Sequence, residues 1–188
     1  MILYTDATTP FGRKCLVAAL ERSIVLEERF VKLSDPKEFL LVNPLNQIPA
    51  LSVDQKKYFD SDVILQFLDS LHEGPPLIPE KNKYKHLTSI HLANAVIEST
   101  LLRVMEKRRV ETEQSSDFIA HLEARIDRGI TAMEETRLEK IGELLNGEEI
   151  TTAIALSYVD FRFTRDWRIK TPKLSNWHAT IEQRISMI

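Results

Sequence analysis

The feature that most constrains the fold of this sequence is a change of pattern near residue 75. Before that point, short apolar runs typical of β-strands alternate with apolar residues at helical spacing, whereas only helical spacing follows it. Pro75, Pro76 and Pro79 separate the two parts, and proline interrupts both helices and sheet pairing. We therefore expect a small α/β domain over residues 1–75 and an all-helical domain over residues 80–188.

The first part carries a βαβ pattern followed by an αββα pattern. Strand-like alternation, helical spacing and turn residues set this order. The predicted elements are a strand at 2–5, a helix from Pro10 to about Arg22, a strand at 26–33, a short helix beginning at Asp35 and Pro36, a hairpin of 48–53 with 57–59, and a helix capped by Asp60 or Ser61.

After the prolines, helices are expected at about 83–110, 114–145, 149–165 and 173–186. Asn146 and Gly147 are expected to end the second of these helices, because both residue types favour the conformation that follows a helix. Thr151 or Thr152 is expected to cap the third.

The composition excludes several classes of protein. The net charge of −3 lacks the basic excess of a nucleic-acid-binding protein, and no apolar run approaches the roughly 18 residues of a membrane-spanning helix. The one cysteine, Cys15, permits neither an intramolecular disulfide nor an all-cysteine metal site, and its place on the apolar side of a helix predicts a buried structural thiol. We expect a cytoplasmic protein with no metal site and no nucleic-acid or membrane partner.

The loop before the first helix offers two hydroxyls, those of Thr8 and Thr9, ahead of Pro10. The free N–H groups at a helix N-terminus favour negative charge, so a hydroxyl there is suited to stabilise a thiolate or another anion. Residue type alone favours the simpler interpretation, in which one of the two hydroxyls caps the helix.

A second motif runs from Asn43 to Leu51 and places Pro49 just before a predicted strand. A cis Ile48–Pro49 bond would present the N–H and C=O of Ile48 to a ligand, although only about 5–6% of X–Pro bonds in folded proteins are cis. Taken alone, Pro49 is more simply explained as a trans residue at the entry to a strand.

The third motif is Asp60-Ser61-Asp62, at the start of an amphipathic helix. Ser61 is suited to cap that helix. The alternative is a binding site in which the hydroxyl and the helix N-terminus hold a carboxylate while Asp60 holds an ammonium group. A carboxylate and an ammonium on one carbon form the head group of an amino acid.

Together and in this order, the motifs resemble the glutathione transferase family. The shared patterns are hydroxyl-Pro-Phe-x-Arg-Lys at 9–14, Asn-Pro-x-x-Gln-Ile-Pro-x-Leu at 43–51 and Phe-Asp-Ser at 59–61. The prolines at 76–79, and Pro172-x-Leu-x-x-Trp177 with Arg184, are similar to the family's interdomain segment and final helix. The resemblance covers nearly the whole chain and is closest to short bacterial members with a Ser-Pro-Phe type motif.

The resemblance implies a thioredoxin-like N-terminal domain (βαβαββα) followed by a helical-bundle domain. It implies a homodimer that uses glutathione as co-substrate, a small hydrophobic electrophile as second substrate, and no separate cofactor. Thr9 falls where Ser-type members place the hydroxyl that donates to the glutathione thiolate, and Thr8 is the neighbouring alternative.

The other site residues follow from the same resemblance. Ile48 and Pro49 match the family's clamp on the cysteinyl part of glutathione, and Asp60 and Ser61 match the pair that holds the γ-glutamyl end. Gln47 lies next to the clamp. Either Lys32 or Lys37 would pair with the glycyl carboxylate.

Threonine stands at residue 9, where serine is commoner, and this leaves other functions open. One alternative is a non-catalytic binding or regulatory protein with the same fold. Another is a glutathione-dependent isomerase or peroxidase. In relatives with a Cys-Pro-x-Cys motif the cysteines would fall at Thr9 and Gly12, so dithiol redox chemistry is not expected.

Overall fold

The computed structural model describes residues 1–136, 142–163 and 166–188. The chain forms two compact units. Unit 1 contains residues 1–80 together with 142–150, and unit 2 contains the rest of the described chain. The division of the sequence at residues 75 to 80 into two domains stays a prediction.

Unit 1 is built on a four-stranded mixed sheet with the strand order β2-β1-β3-β4. β1 pairs with β2 in parallel and with β3 antiparallel, and β3 pairs with β4 antiparallel. β2 is shorter than predicted and all its residues are exposed, as suits an edge strand whose charges discourage pairing with other chains. The strands are β1 at Ile2–Thr5, β2 at Glu27–Phe30, β3 at Ala50–Val53 and β4 at Lys56–Phe59.

Two helices pack together in unit 1, α1 at Pro10–Glu21 and α2 at Ser61–Asp69. The buried residues of both helices are shielded from solvent, as are Leu3 of β1 and Leu51 of β3, which lie opposite each other in the sheet. Successive side chains of a strand point to opposite faces, and a second, smaller core accordingly includes Tyr4. This second core contains Phe39, Val42 and Ala50, with Tyr4, Val31, Ile48 and Phe59 packed against it.

The prediction of a short helix beginning at Asp35 and Pro36 is wrong, because the helical segment found there is shorter and begins later. A single 3-10 turn, Phe39–Leu41, occupies this place, and it has no side-chain cap. Phe39 is 4% exposed, so burial of its ring in the small core holds the turn where a longer helix was expected.

The segment 142–150 belongs to unit 1 because two charged side chains hold its backbone. The N–H of Leu145 donates to Glu21 Oε2 at 2.8 Å, and Arg22 Nη1 donates to the Leu145 carbonyl at 2.8 Å. Leu145 is fully buried, as Glu21 and Arg22 nearly are.

The prediction that Asn146 and Gly147 end a helix is wrong, because a helix begins there. Asn146 Oδ1 accepts from the N–H of Glu149 at 2.9 Å, and Glu149 Oε2 accepts from the N–H of Asn146 at 2.8 Å. This reciprocal capping box satisfies two N–H groups at the start of α5. The predicted caps, Thr151 and Thr152, lie inside that helix and are buried.

In unit 2, all the regular secondary structure of the described residues is helical. α3 spans Lys83–Lys107 and packs against α4, Ser116–Glu135. α5, Gly147–Arg162, begins in unit 1 and continues into unit 2, and α6 spans Pro172–Ile181. The prediction that the second helix of this part continues to residue 145 is wrong, because residues 142–145 are not helical. Residues 137–141 and 164–165 are also predicted as helix, and they lie outside the described residues. α6 ends five residues earlier than predicted and is followed by a 3-10 turn, Ile185–Met187. In the described parts of the chain, no helix combines the length and apolarity needed to cross a bilayer.

A buried histidine links α5 to α6. His178 is 1% exposed, and its Nε2 lies 3.1 Å from Ser157 Oγ and 3.3 Å from the Ala153 carbonyl. Burial lowers the pKa of His178 from its ordinary value, although Glu182 and Asp160 act in the opposite direction. The neutral imidazole is therefore the form that the folded protein favours.

Candidate functional site

Strand register brings the three sequence motifs to one end of the sheet. Tyr4 pairs with Ala50, and Ala50 pairs with Phe59. The loop after β1, the segment before β3 and the start of α2 therefore emerge side by side. β2 leaves the sheet at the same end, because Thr5 pairs with Phe30 and accepts a bond from the Val31 N–H at 2.9 Å.

A carboxylate organises the loop after β1. Asp6 Oδ1 accepts from the N–H of Thr8 at 2.6 Å, from the Thr8 hydroxyl at 3.1 Å and from the N–H of Thr9 at 2.7 Å. The Thr8 hydroxyl therefore donates within its own loop.

Thr9 is the N-cap residue of α1, with extended backbone angles, and Pro10 occupies the first turn as expected. Its side chain makes no capping bond, so the prediction that a threonine hydroxyl caps this helix is wrong. The carboxylate of Asp6 instead accepts hydrogen bonds from the N–H groups of Thr8 and Thr9, which precede the helix. Thr9 is half-buried, and its hydroxyl has no hydrogen-bond partner among residues 1–136, 142–163 and 166–188.

Gly12 allows the first turn of α1 to approach β1 closely. A Cβ atom on this residue would lie 2.0 Å from Thr5 Oγ1 and 2.6 Å from Thr9 Cγ2. Any larger residue would therefore displace Thr5, which is fully buried, or turn the side chain of Thr9.

The Ile48–Pro49 bond is cis, as the family resemblance implied. Asn43 holds the preceding loop: its side chain donates to the Gln47 carbonyl at 2.7 Å and accepts from the Leu45 N–H at 3.0 Å. Asn43 is 2% exposed, so both bonds lie in a protected environment. The N–H and C=O of Ile48 form no hydrogen bond with any residue in the described ranges.

Asp60 and Ser61 lie where β4 meets α2. Asp60, not Ser61, is the N-cap, and its carboxylate accepts from the Asp62 N–H at 2.7 Å. Asp60 has φ 29° and ψ 152°, a conformation that non-glycine residues rarely adopt and that is often found at functional sites. Ser61 is 3% exposed, and its hydroxyl has no partner in the part of the chain that the structure describes.

A partly buried ion pair joins α1 to the start of α2. Lys14 is fully buried, and its Nζ lies 2.5 Å from Asp62 Oδ1. The neighbouring Cys15 is also fully buried, with Sγ 3.9 Å from the Ser61 carbonyl. Burial raises the pKa of the Cys15 thiol to about 12. The prediction of a buried thiol is confirmed. Since the reactive form of cysteine is the thiolate, a raised pKa disfavours reactivity at this residue.

The candidates for the glycyl end are less closely connected to the others. Gln47 is exposed directly before the cis bond, and Lys32 is exposed two residues beyond β2, at the same end of the sheet. Lys37 is exposed in the following loop. Within the described residues, neither Lys32 nor Lys37 forms a hydrogen bond or ion pair with another candidate residue, so both lysines remain alternatives.

Sequence reasoning missed Asp6, Asn43 and Gly12 as residues that shape the site. An acidic residue three positions before a helix N-cap was the available signal for Asp6, since aspartate often bonds to nearby N–H groups. The role of Gly12 depends on the distance between a strand and a helix, which the sequence pattern does not contain.

A family model described as the N-terminal domain of glutathione S-transferase matches residues 3–76. Among solved structures, a glutathione S-transferase from Methylobacillus flagellatus KT with glutathione bound is 31% identical, with a TM-score of 0.89. The match covers 99% of this chain and 96% of that one.

Two structures from Pseudomonas fluorescens Pf-5, both described as a glutathione transferase family member, are also similar. The one with bound glutathione is 29% identical with a TM-score of 0.93, over 99% of this chain and 96% of that chain. The other, with bound S-(propanoic acid)-glutathione, is 30% identical with a TM-score of 0.89, over 100% of this chain and 96% of that chain.

A curated relative, the uncharacterized GST-like protein YibF of Escherichia coli K12, is 25% identical over 93% of this chain and 90% of its own length. These matches confirm the predicted fold, a thioredoxin-like sheet domain followed by helices. Because the similarity extends over nearly the full length of proteins about 30% identical, the chain belongs to the glutathione S-transferase family.

Proposed function

We propose that this protein is a glutathione transferase, which activates the thiol of glutathione for attack on a small electrophilic substrate. The observation that carries the proposal is the free hydroxyl of Thr9 at the start of α1, at the end of the sheet where Ile48 and Asp60 also emerge. Solved relatives about 30% identical hold glutathione or an S-substituted glutathione.

Each part of glutathione has a suitable partner here. The unpaired N–H and C=O of Ile48 are suited to bind the cysteinyl backbone, as an added strand would. The Asp60 carboxylate is suited to bind the γ-glutamyl ammonium, while Ser61 and the start of α2 are suited to its carboxylate. Gln47, with Lys32 or Lys37, would bind the glycyl end.

The proposed activation needs only a modest stabilisation of the thiolate. A free thiol has a pKa near 8.5, and each unit of lowering corresponds to about 1.4 kcal/mol. A hydroxyl hydrogen bond to a charged acceptor contributes roughly 1.5–3 kcal/mol, and a helix N-terminus typically adds about 0.3–1 kcal/mol. Together these are enough to make the thiolate abundant at neutral pH. The thiol proton leaves to solvent, and the sulfur forms a bond to the electrophilic carbon. In a substitution the leaving group departs with the electron pair of its bond to that carbon; in an addition a π bond to that carbon breaks and the adjacent atom takes up a proton from solvent.

Calorimetric titration with glutathione, combined with a conjugation assay on a generic aromatic electrophile, tests this function. We expect binding and thioether formation. No binding at millimolar glutathione would contradict every glutathione-dependent function. Binding without conjugation, isomerisation or peroxide reduction would instead favour a non-catalytic role. We also propose a cytoplasmic homodimer, which sedimentation and cell fractionation would test.

A further inference from the structure

The carboxylate of Asp6 forms different hydrogen bonds with the two threonines that follow it, Thr8 and Thr9. It accepts both the hydroxyl and the N–H of Thr8 but only the N–H of Thr9. The Thr9 hydroxyl is left without a partner in the described chain. Sequence alone did not decide between the two hydroxyls, and these contacts do distinguish them.

We propose that Asp6 is a positioning residue for glutathione activation: it withdraws the Thr8 hydroxyl, leaves that of Thr9 for the sulfur, and opposes thiolate formation with its own negative charge. This inference rests on the proposed function and deepens it. Asp6 would then have two effects. It selects which threonine hydroxyl activates the thiol, and its charge raises the pKa of the bound glutathione thiol and so the pH needed to form the thiolate.

The distances make the electrostatic effect measurable. Asp6 Oδ1 lies 2.7 Å from the Thr9 nitrogen. With one further hydrogen bond from the Thr9 hydroxyl, the sulfur would lie within about 9 Å of this carboxylate. Like charges at such a distance, half-exposed to water, shift a pKa by about 0.3–1 unit.

Other charges on the neighbouring elements do not cancel that effect. Lys14, on α1, is paired with Asp62 of α2, and Asp60 at the start of α2 is the residue proposed to bind an ammonium group. Arg13, which precedes Lys14 on α1, is exposed and carries a positive charge. Since none of these groups changes when Asp6 is replaced, the shift caused by its charge can be measured alone.

The test compares Asp6→Asn with the native protein and with Asp54→Asn. Asparagine keeps an oxygen that can accept the same bonds but removes the charge. Asp54 is exposed in the β3–β4 turn, at the opposite end of those strands, so it controls for the loss of a negative charge. The readout is the ultraviolet absorbance of the thiolate in the glutathione-saturated protein as a function of pH, together with the pH profile of kcat/KM.

We expect the thiolate midpoint of Asp6→Asn to lie about 0.3–1 pH unit below that of the native protein, with Asp54→Asn unchanged. Thr8→Val should keep the conjugation rate within about twofold, because the Thr8 hydroxyl is already donated to Asp6. A midpoint that does not fall in Asp6→Asn, or a Thr8→Val loss as large as that of Thr9→Ala, would overturn the inference. In both cases glutathione still binds the native protein, whereas absence of binding by calorimetry overturns the proposed function itself.

Discussion

The methyl carbon of Thr9 lies 2.6 Å from the position that a Cβ atom on Gly12 would occupy. The glycine thus leaves room for the group that distinguishes threonine from serine. β-branched side chains have few accessible rotamers, so this space helps to set the direction of the Thr9 hydroxyl. The two residues form a matched pair in the first turn of α1.

Gly12→Ala should destabilise the protein by about 1–3 kcal/mol, as overpacking typically does. The new methyl would meet Thr5 Oγ1 at 2.0 Å as well as the Thr9 methyl. Denaturant unfolding measures the loss, and the conjugation rate should fall with it. Adding Thr9→Ser should restore part of both, because it removes one of the two collisions. Strictly additive effects would show that residues 9 and 12 are not coupled.

Thr9→Ala should lower the conjugation rate more than the affinity for glutathione. The lost hydrogen bond to a charged sulfur corresponds to roughly ten- to a hundredfold in rate. Steady-state kinetics and calorimetry separate the two quantities, and Thr9→Ser should retain activity. An unchanged rate in Thr9→Ala would remove this residue from the mechanism.

Asp60→Gly should separate stability from binding. Glycine adopts positive φ without a steric cost, and replacing an aspartate N-cap by glycine costs only a few tenths of a kcal/mol. The free energy of unfolding should therefore stay within about 1 kcal/mol of the native value. Glutathione affinity should fall at least tenfold, because the carboxylate is lost.

The matched control is Asp54→Gly, since Asp54 also has a positive φ, 53°, in the β3–β4 turn. It should leave glutathione affinity unchanged in calorimetry. If Asp60→Gly binds as tightly as this control, the proposed ammonium partner is wrong.

Asn43→Ala should cost about 1–3 kcal/mol of stability, because the Gln47 carbonyl and the Leu45 N–H each lose a partly buried hydrogen bond. It should also weaken glutathione binding, since Asn43 bonds to the Gln47 carbonyl, next to Ile48. Asn46→Gly in the same loop is the control, because Asn46 has φ 52° and, within the described residues, its side chain makes one exposed hydrogen bond, to the Leu33 carbonyl. Urea unfolding should show a lower free energy of unfolding, and calorimetry a weaker glutathione affinity, for Asn43→Ala than for Asn46→Gly.

His178 should make the protein less stable as pH falls below about 6.5. Burial lowers the pKa of His178 in the folded state from its ordinary value, about 6.5, so at acidic pH the unfolded chain binds a proton more readily than the folded chain. The contribution is complete above pH 6.5 and is lost progressively below it. Urea unfolding between pH 8 and pH 5 should show this slope, and His178→Gln should flatten it. An equal slope in both proteins would assign the dependence to other groups.

Much of unit 1 was predictable from local sequence. The strand at Ile2–Thr5, the helix opened by Pro10, and the hairpin follow from side-chain periodicity and proline position, and each is found within a few residues of its predicted bounds. The buried thiol of Cys15 followed from its place on the apolar face of α1. The cis bond at Pro49 required the family pattern, because the local preference is for trans.

Secondary structure was predicted wrongly where the same local sequence is compatible with two different structures. Asn146 and Gly147 are equally compatible with a helix end and a helix start, and the side chain of Glu149 decided for a start. The short segment after Asp35 contains helix formers, but burial of Phe39 in the small core limits it to one turn.

By itself, the sequence determined most of the order of elements, the family and the choice of candidate site residues, because these depend on neighbouring residues and recurring motifs. Only the tertiary structure decided which groups are available at the site. Strand register brought the loops of Thr9, Ile48 and Asp60 to one end of the sheet. Hydrogen bonding to Asp6 left one threonine hydroxyl free and engaged the other. Such choices depend on which donors and acceptors meet in space, and no spacing along the chain contains that information.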